Sequence, residues 1–370
     1  MMCAVAFLAF GAVYIFMVAA GGELRQIASA GLEAGPFAIL AVLAYASNPK
    51  GIGGKALTLT YWVLLVGAVG IGSLLVTIVV VLQLKVGGDP RAALPPPTVE
   101  QILRILAAGF ALAAAGGIGI LCFVTGIRRW AATWLDMDPQ SFVHATALAT
   151  TVTMTLMCTI PLLAVNEPLI AWLFNPKSGL NMTGSELTVS STLYGLMWAV
   201  PASFIAVGFP IKRTLREAQQ RLALVVPSRL QVVAAIAIAL ALALAAAPVH
   251  FVIGMLWKAL GLRMTDTHAV EALFKNAITP AGVVIVGISA GLGEELVFRG
   301  VLLPRLGIVL PALLFTALHA FQYNFDALVW ILILGVVLGF VRKKTNTTTC
   351  VLIHGTYDLV LLLAAYLFGS

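Results

Sequence analysis

Near the C-terminus, ionisable side chains sit inside three strongly apolar strings, and their types are those that move protons or polarise carbonyls. Glu294, Glu295 and Arg299 lie in GLGEELVFRGVLLPRL, His319 in LLFTALHAF, and His354 with Asp358 in VLIHGTYDLV. An ionisable group at the centre of a membrane helix costs at least about 2.5–3.5 kcal/mol, so each must be held there by a partner or a function. Carboxylates and histidines are side chains that serve as general acids and bases. Two histidines and a glutamate could alternatively hold zinc, although no HExxH occurs on any helix. Such residues also build proton relays in transporters.

Helical spacing sorts these residues onto faces. Glu295 and Arg299 are four apart, and an acidic residue N-terminal to a basic one is the favourable order for a pair. Glu294, about 100° further round, is left to face something else. Phe315 with His319, and His354 with Asp358, share faces by the same spacing. If these helices end near Leu303, begin at Pro311 and begin at Asn346, then Glu295, His319 and His354 each lie about eight residues, roughly 12 Å, from one side. That puts all three at one level.

The elements that must carry them are membrane spans. The chain is 61% hydrophobic and 10% charged, with a mean hydropathy of +1.03, where a soluble protein carries about a quarter charged residues. Apolar runs long enough to span a hydrocarbon core occur at about 2–21, 30–47, 56–84, 104–126, 142–165, 189–211, 230–256, 277–303, 308–323, 326–341 and 348–368. The fold class is therefore all-α, a polytopic transmembrane bundle of about eleven spans. The second run is short and contains Glu33, and the ninth is marginal for a full crossing. The first lacks a basic n-region and a cleavage site and reads as a retained span.

Lysine and arginine accumulate on the cytoplasmic side of span ends. Segments following even-numbered spans carry fourteen of them: Lys50, Lys55, Arg128, Arg129, the Lys212–Arg229 stretch, Arg299, Arg305 and Arg342 to Lys344. Segments following odd-numbered spans carry seven, which places the N-terminus in the cytoplasm. The net charge of +7 thus has a topological origin, and nucleic acid is not an expected partner. KRTLREAQQR, from Lys212 to Arg221, reads as a polar helix at the anionic cytoplasmic surface.

The three strings together resemble the CAAX-protease and bacteriocin-processing family. EELVFR fits its EExxxR signature, FTALH its FxxxH signature, and HGTYD its last, a histidine followed four residues on by Asn or Asp; the eukaryotic prenyl-protein enzymes carry Asn where Asp358 stands. The resemblance covers roughly residues 275–370 and implies an intramembrane glutamic endopeptidase with a site open toward the cytoplasm. It implies Glu294 as the general base, His319 as holding or sharing the water, and His354 with Asp358 as the oxyanion binders. Glu295 and Arg299 would brace the site, with Phe315 supporting. No cofactor is implied, zinc being the metal alternative. The partners expected are membrane lipid and a peptide or membrane-protein substrate.

This divides the chain into residues 1–270, helices of unassigned role, and 271–370, a CAAX-protease-like domain. The expected location is a bacterial cytoplasmic membrane. Two other functions compete: a non-catalytic protein of this fold in peptide or bacteriocin immunity or signalling, and a proton-coupled transporter. The remaining polar residues have structural readings. His144 and His250 read as hydrogen-bonded histidines, Arg104 as snorkelling, Asp326 as a helix cap and Trp172 as an interfacial anchor. Cys3, Cys122, Cys158 and Cys350 lack CxxC spacing and read as buried small hydrophobes. Asn181 opens a sequon in a loop after the fifth span.

Overall fold

Short polar residues just ahead of the apolar runs set where the helices begin. Thr98 with Gln101, Thr188 with Ser191, Thr214 with Glu217 and Ser228 with Gln231 each form a capping box, satisfying two orphan N–H groups reciprocally. Thr279 caps a helix whose first residue is Pro280, a position where the missing N–H costs nothing. The computed structural model describes residues 15–17, 19–47, 52–83, 96–173 and 187–368.

Along the chain run α1 (Gly22–Ala46), α2 (Ile52–Val81), α3 (Val99–Leu121), α4 (Thr125–Ala131), α5 (Phe142–Val165), α6 (Leu169–Leu173), α7 (Val189–Ala206) and α8 (Leu215–Leu222). They are followed by α9 (Arg229–Ala259), α10 (Thr267–Phe274), α11 (Pro280–Glu295), α12 (Leu303–Leu306), α13 (Val309–Leu318), α14 (Phe325–Lys344) and α15 (Thr347–Phe368). No strand occurs among the described residues. Nine described segments are long and apolar enough to cross a membrane, one of them the continuous Pro280–Leu306, while the apolar helix Val309–Phe321 is shorter. The chain is an integral membrane protein. Of the eleven expected runs, 308–323 is this short helix, and 2–21 falls largely outside the described residues, as do Cys3 and Asn181.

The helix expected over 277–303 runs on to Leu306 and changes pitch on the way: Leu296–Leu302 is π-helical. A π turn inserts one extra residue per turn and is typically a device of functional sites. Two of its carbonyls, at Gly300 and Val301, accept hydrogen bonds from Arg221 at 2.9 and 3.2 Å. Arg221 projects from α8, whose Ala218 and Leu222 are fully buried against Val207 and Leu296. Burial brings the Arg221 guanidinium down to about 10, so it stays charged at neutral pH. The polar surface helix read from Lys212–Arg221 is thus also a clasp on the widened turn.

The buried apolar side chains form two larger cores. One gathers Trp62, Leu112, Met157, Phe298 and Phe315 from α2, α3, α5, the π turn and α13. The other gathers Ala235, Ala239, Trp330, Leu334, Ile353 and Tyr357 from α9, α14 and α15. α11 packs between α7 and α15, and α13 between α5 and α14.

One end of the bundle is basic. Arg221 binds the π turn there, Arg305 reaches the Asp136 carbonyl at 3.2 Å, and Arg342 bonds Thr347 at 2.9 Å. At the opposite end Asp326 does not cap α14. Asn324 does so, and Asp326 instead accepts from the Thr265 N–H and hydroxyl at 3.0 and 2.7 Å, tying the loop after α9 to the α13–α14 turn. Trp172 is 8% exposed and so enclosed rather than an interfacial anchor, and its neighbours Ile170 and Ala171 pack on Ala269 and Leu273 of α10. Arg104 is paired with Glu100 at 2.5 Å on the surface. Cys122 and Cys350 are buried free thiols, and Cys158 is a partly buried one.

Arg221→Ala leaves two π-turn carbonyls without their donor and is expected to destabilise the fold by about 2 kcal/mol, the worth of a charge-assisted hydrogen bond. Thermal unfolding in detergent measures this; an unchanged melting temperature would contradict the clasp.

Candidate active site

The site is built where α11 and α15 touch backbone to backbone. A Cβ at Gly291 would lie 2.7 Å from the Gly355 nitrogen and 2.8 Å from the Val351 oxygen, and one at Gly287 would lie 3.0 Å from the Gly355 oxygen. Glycines four apart on one helix face let membrane helices approach closely. The approach brings His354, the neighbour of Gly355, against the glutamates that follow Gly291.

Glu295 is fully buried. Its Oε1 accepts from Arg299 Nη1 at 2.7 Å and from His354 Nδ1 at 2.8 Å. Arg299 is 2% exposed, donates Nη2 to the Gly335 oxygen at 3.2 Å, and lies over the Phe315 ring at 4.9 Å. Arg299 is therefore not a juxtamembrane anchor, as the charge census assumed, but the counter-ion of a buried carboxylate. Glu295 Oε2 has no hydrogen-bond partner.

His354 is fixed through Nδ1, and because the carboxylate accepts, Nδ1 carries a proton. Its Nε2 faces the other way, 3.4 Å from Asp358 Oδ2 and 3.9 Å from Glu294 Oε2. His319 sits at the end of α13, where the helix tightens into a 3₁₀ turn over His319–Phe321. Its Nδ1 lies 2.8 Å from the Phe315 carbonyl; a carbonyl only accepts, so Nδ1 donates, and in the neutral ring Nε2 keeps its lone pair.

The structure brings Glu294, Glu295, Arg299, His354 and Asp358 into one contact chain. His319 joins it through Phe315, whose ring centroid is 4.8 Å from that of His319 and 5.9 Å from that of His354. Glu295 and His319 lie deeper than the eight residues expected, and His354 slightly shallower. Counted from Leu306, Val309 and Thr347, Glu295, His319 and His354 lie about 16, 15 and 10 Å along their helices. The two glutamates have opposite fates: the Glu295 side chain is fully buried, whereas that of Glu294 is 35% exposed. Among the described residues no three His, Cys, Asp or Glu side chains are arranged to hold a metal ion.

Residues 276–360, which contain this whole cluster, match the family model described as type II CAAX prenyl endopeptidase Rce1-like. This segment belongs to the CAAX-protease family. No curated protein and no solved structure matches the chain. The CAAX-protease segment does not stand apart from the helices before it: α7 packs along α11, α5 along α13, and α9 along α15.

Three contributors were not identified from the strings alone: Gly287, Gly291 and Gly355. The signal was present, since Gly287 and Gly291 are four apart in an apolar helix and Gly355 follows His354. His144 and His250 lie outside the cluster, His144 Nδ1 accepting from the Asp138 N–H at 2.9 Å and His250 packing near the Trp330 ring.

Gly291→Ala must push α11 off α15, because the atoms it meets are backbone. The expected cost is about 1–3 kcal/mol, seen as a lower melting temperature in detergent. Arg299→Ala leaves Glu295 buried without its counter-ion and is expected to cost about 3–5 kcal/mol. A variant melting like the parent protein in either case would contradict the packing described.

Proposed function

We propose that the chain is an intramembrane endopeptidase in which Glu294 activates water against a peptide bond close to the cytoplasmic face of the membrane. The observation that carries this reading is the unequal exposure of the adjacent carboxylates. Glu295 is enclosed and tied to Arg299 and His354, so it cannot reach a substrate. Glu294 is open and lies beside His354 Nε2.

In the proposed reaction a water bound between Glu294 and His319 Nε2 loses a proton to Glu294 as its oxygen bonds to the scissile carbonyl carbon. The carbonyl oxygen becomes an oxyanion and accepts from Nε2–H of the His354 imidazolium, a ring that donates through both nitrogens and whose orientation Glu295 sets through Nδ1. A preorganised donor at such a point is worth about 10²–10³ in rate. Glu294 then returns the proton to the amide nitrogen as the C–N bond breaks, leaving a carboxylic acid and an amine. Asp358, 3.4 Å from the same His354 nitrogen, orients that ring from the other side. It donates to an oxyanion only in its protonated form, whereas an Asn in its place would always donate.

The orientation follows the basic end, which carries Arg305 and Arg342 to Lys344 and so faces the cytoplasm. By the same rule the N-terminus is cytoplasmic. The substrate is a peptide or membrane-protein segment that enters from the lipid, in a bacterial cytoplasmic membrane. The prenylated CaaX tail of the matched family's name is the other candidate.

Glu294→Ala and His319→Ala are each expected to lower cleavage of a membrane-proximal peptide by at least about 10²-fold, the low end of general-base catalysis. Both should melt within a few degrees of the parent protein. Cleavage retained in both purified variants would overturn the assignment.

A further inference from the structure

At the basic end, outside the CAAX-protease segment, a cavity of about 420 Å³ opens between the C-terminal part of α1, the start of α5 and the turn from α7 into α8. Its walls are Tyr45, Ser141, Val143, His144, Lys212, Arg213 and Glu217. From this the geometry points to a binding site for a phosphate group, supplied by an anionic phospholipid headgroup.

The donors converge for identifiable reasons. Gly208, at φ +104°, turns the chain so that the Lys212 and Arg213 N–H groups bond back to its carbonyl at 2.7 and 3.2 Å. Arg213 is held by donating Nη1 to the Val207 carbonyl, and its other guanidinium N–H groups remain for a ligand. His144 accepts the Asp138 N–H on Nδ1 at 2.9 Å, so the neutral ring carries its proton on Nε2, a donor. Ser141 caps α5, a 24-residue helix whose positive end therefore borders the cavity. Lys212 is exposed and supplies a second full positive charge. The opposing charge, Glu217, stays ionised but is outnumbered by Lys212 and Arg213, and its Oε2 accepts from the Thr214 N–H and hydroxyl at 2.8 and 2.9 Å. Those bonds hold its carboxyl below the ordinary range.

The level of the cavity identifies the source of the phosphate. Trp130 in α4 and Trp134 just after it, ahead of Ser141, are 57% and 70% exposed and pack edge to face at 4.4 Å. Exposed tryptophans beside Arg128 and Arg129 mark a membrane–water interface, the depth at which lipid phosphates lie. An anionic headgroup is there at high local concentration, attracted by the surrounding cations.

The test titrates the full chain in detergent with dihexanoylphosphatidylglycerol, dihexanoylphosphatidylcholine or inorganic phosphate, reading the melting temperature. The same titrations are made on Lys212→Ala and Lys212→Glu, which change an exposed side chain. The expected result is a saturable rise with phosphatidylglycerol alone, with an apparent Kd raised at least about tenfold by Lys212→Glu, a loss of about 1.4 kcal/mol. A rise with inorganic phosphate that is equally sensitive to Lys212→Glu supports the phosphate site and overturns the lipid as its source. Equal rises with both lipids, or a phosphatidylglycerol response unchanged in both Lys212 variants, overturn the site.

Discussion

A carboxylate enclosed in the interior of a membrane bundle must be neutralised where it stands, and the Arg299–Glu295–His354 chain is how this protein does it. Removing either partner would strand a charge at a cost of several kcal/mol, so α11 and α15 cannot slide or rotate past one another without breaking it. The pairing fixes the His354 ring from one side and, by holding Glu295 inside through Oε1, leaves the neighbouring Glu294 as the more exposed carboxylate. The glycines at 287, 291 and 355 make the distances attainable, and Phe315 completes the enclosure by lying under the Arg299 guanidinium.

The site is supported from outside its own segment. α8 holds the π turn through Arg221, α7 lies along α11, and α5 backs α13. Residues before 276 thus supply the walls and the clasp, while those from 276 to 360 carry the clustered ionisable side chains. The turn that carries His319 is tied at its far side by Asp326 and Thr265.

The polar residues of the site were legible in the sequence because ionisable groups are so expensive in apolar helices that each one announces itself. Pairing of Glu295 with Arg299, and the common faces of Phe315 with His319 and His354 with Asp358, followed from four-residue spacing and hold in the structure. The expected starts at 142, 189 and 230 fall within one residue of the observed Phe142, Val189 and Arg229. What escaped depends on distant partners. The π turn at Leu296–Leu302 has no compositional mark, and its carbonyl partner, Arg221, lies about eighty residues earlier. Asp326 resembled a cap because its carboxylate could have served α14; only the approach of Thr265 redirects it. Arg299 was counted with the surface cations because a charge tally does not see burial.

The central claim is that two adjacent carboxylates occupy opposite environments, one locked and one open. A membrane-permeant carbodiimide tests it directly, since it modifies only carboxyl groups it can reach, and fragment mass spectrometry separates neighbouring residues. In the folded protein the adduct should form on Glu294 and spare Glu295, with Glu295 becoming reactive only after denaturation. Modification of Glu295 in the folded protein, at a rate equal to that of Glu294, would contradict the account.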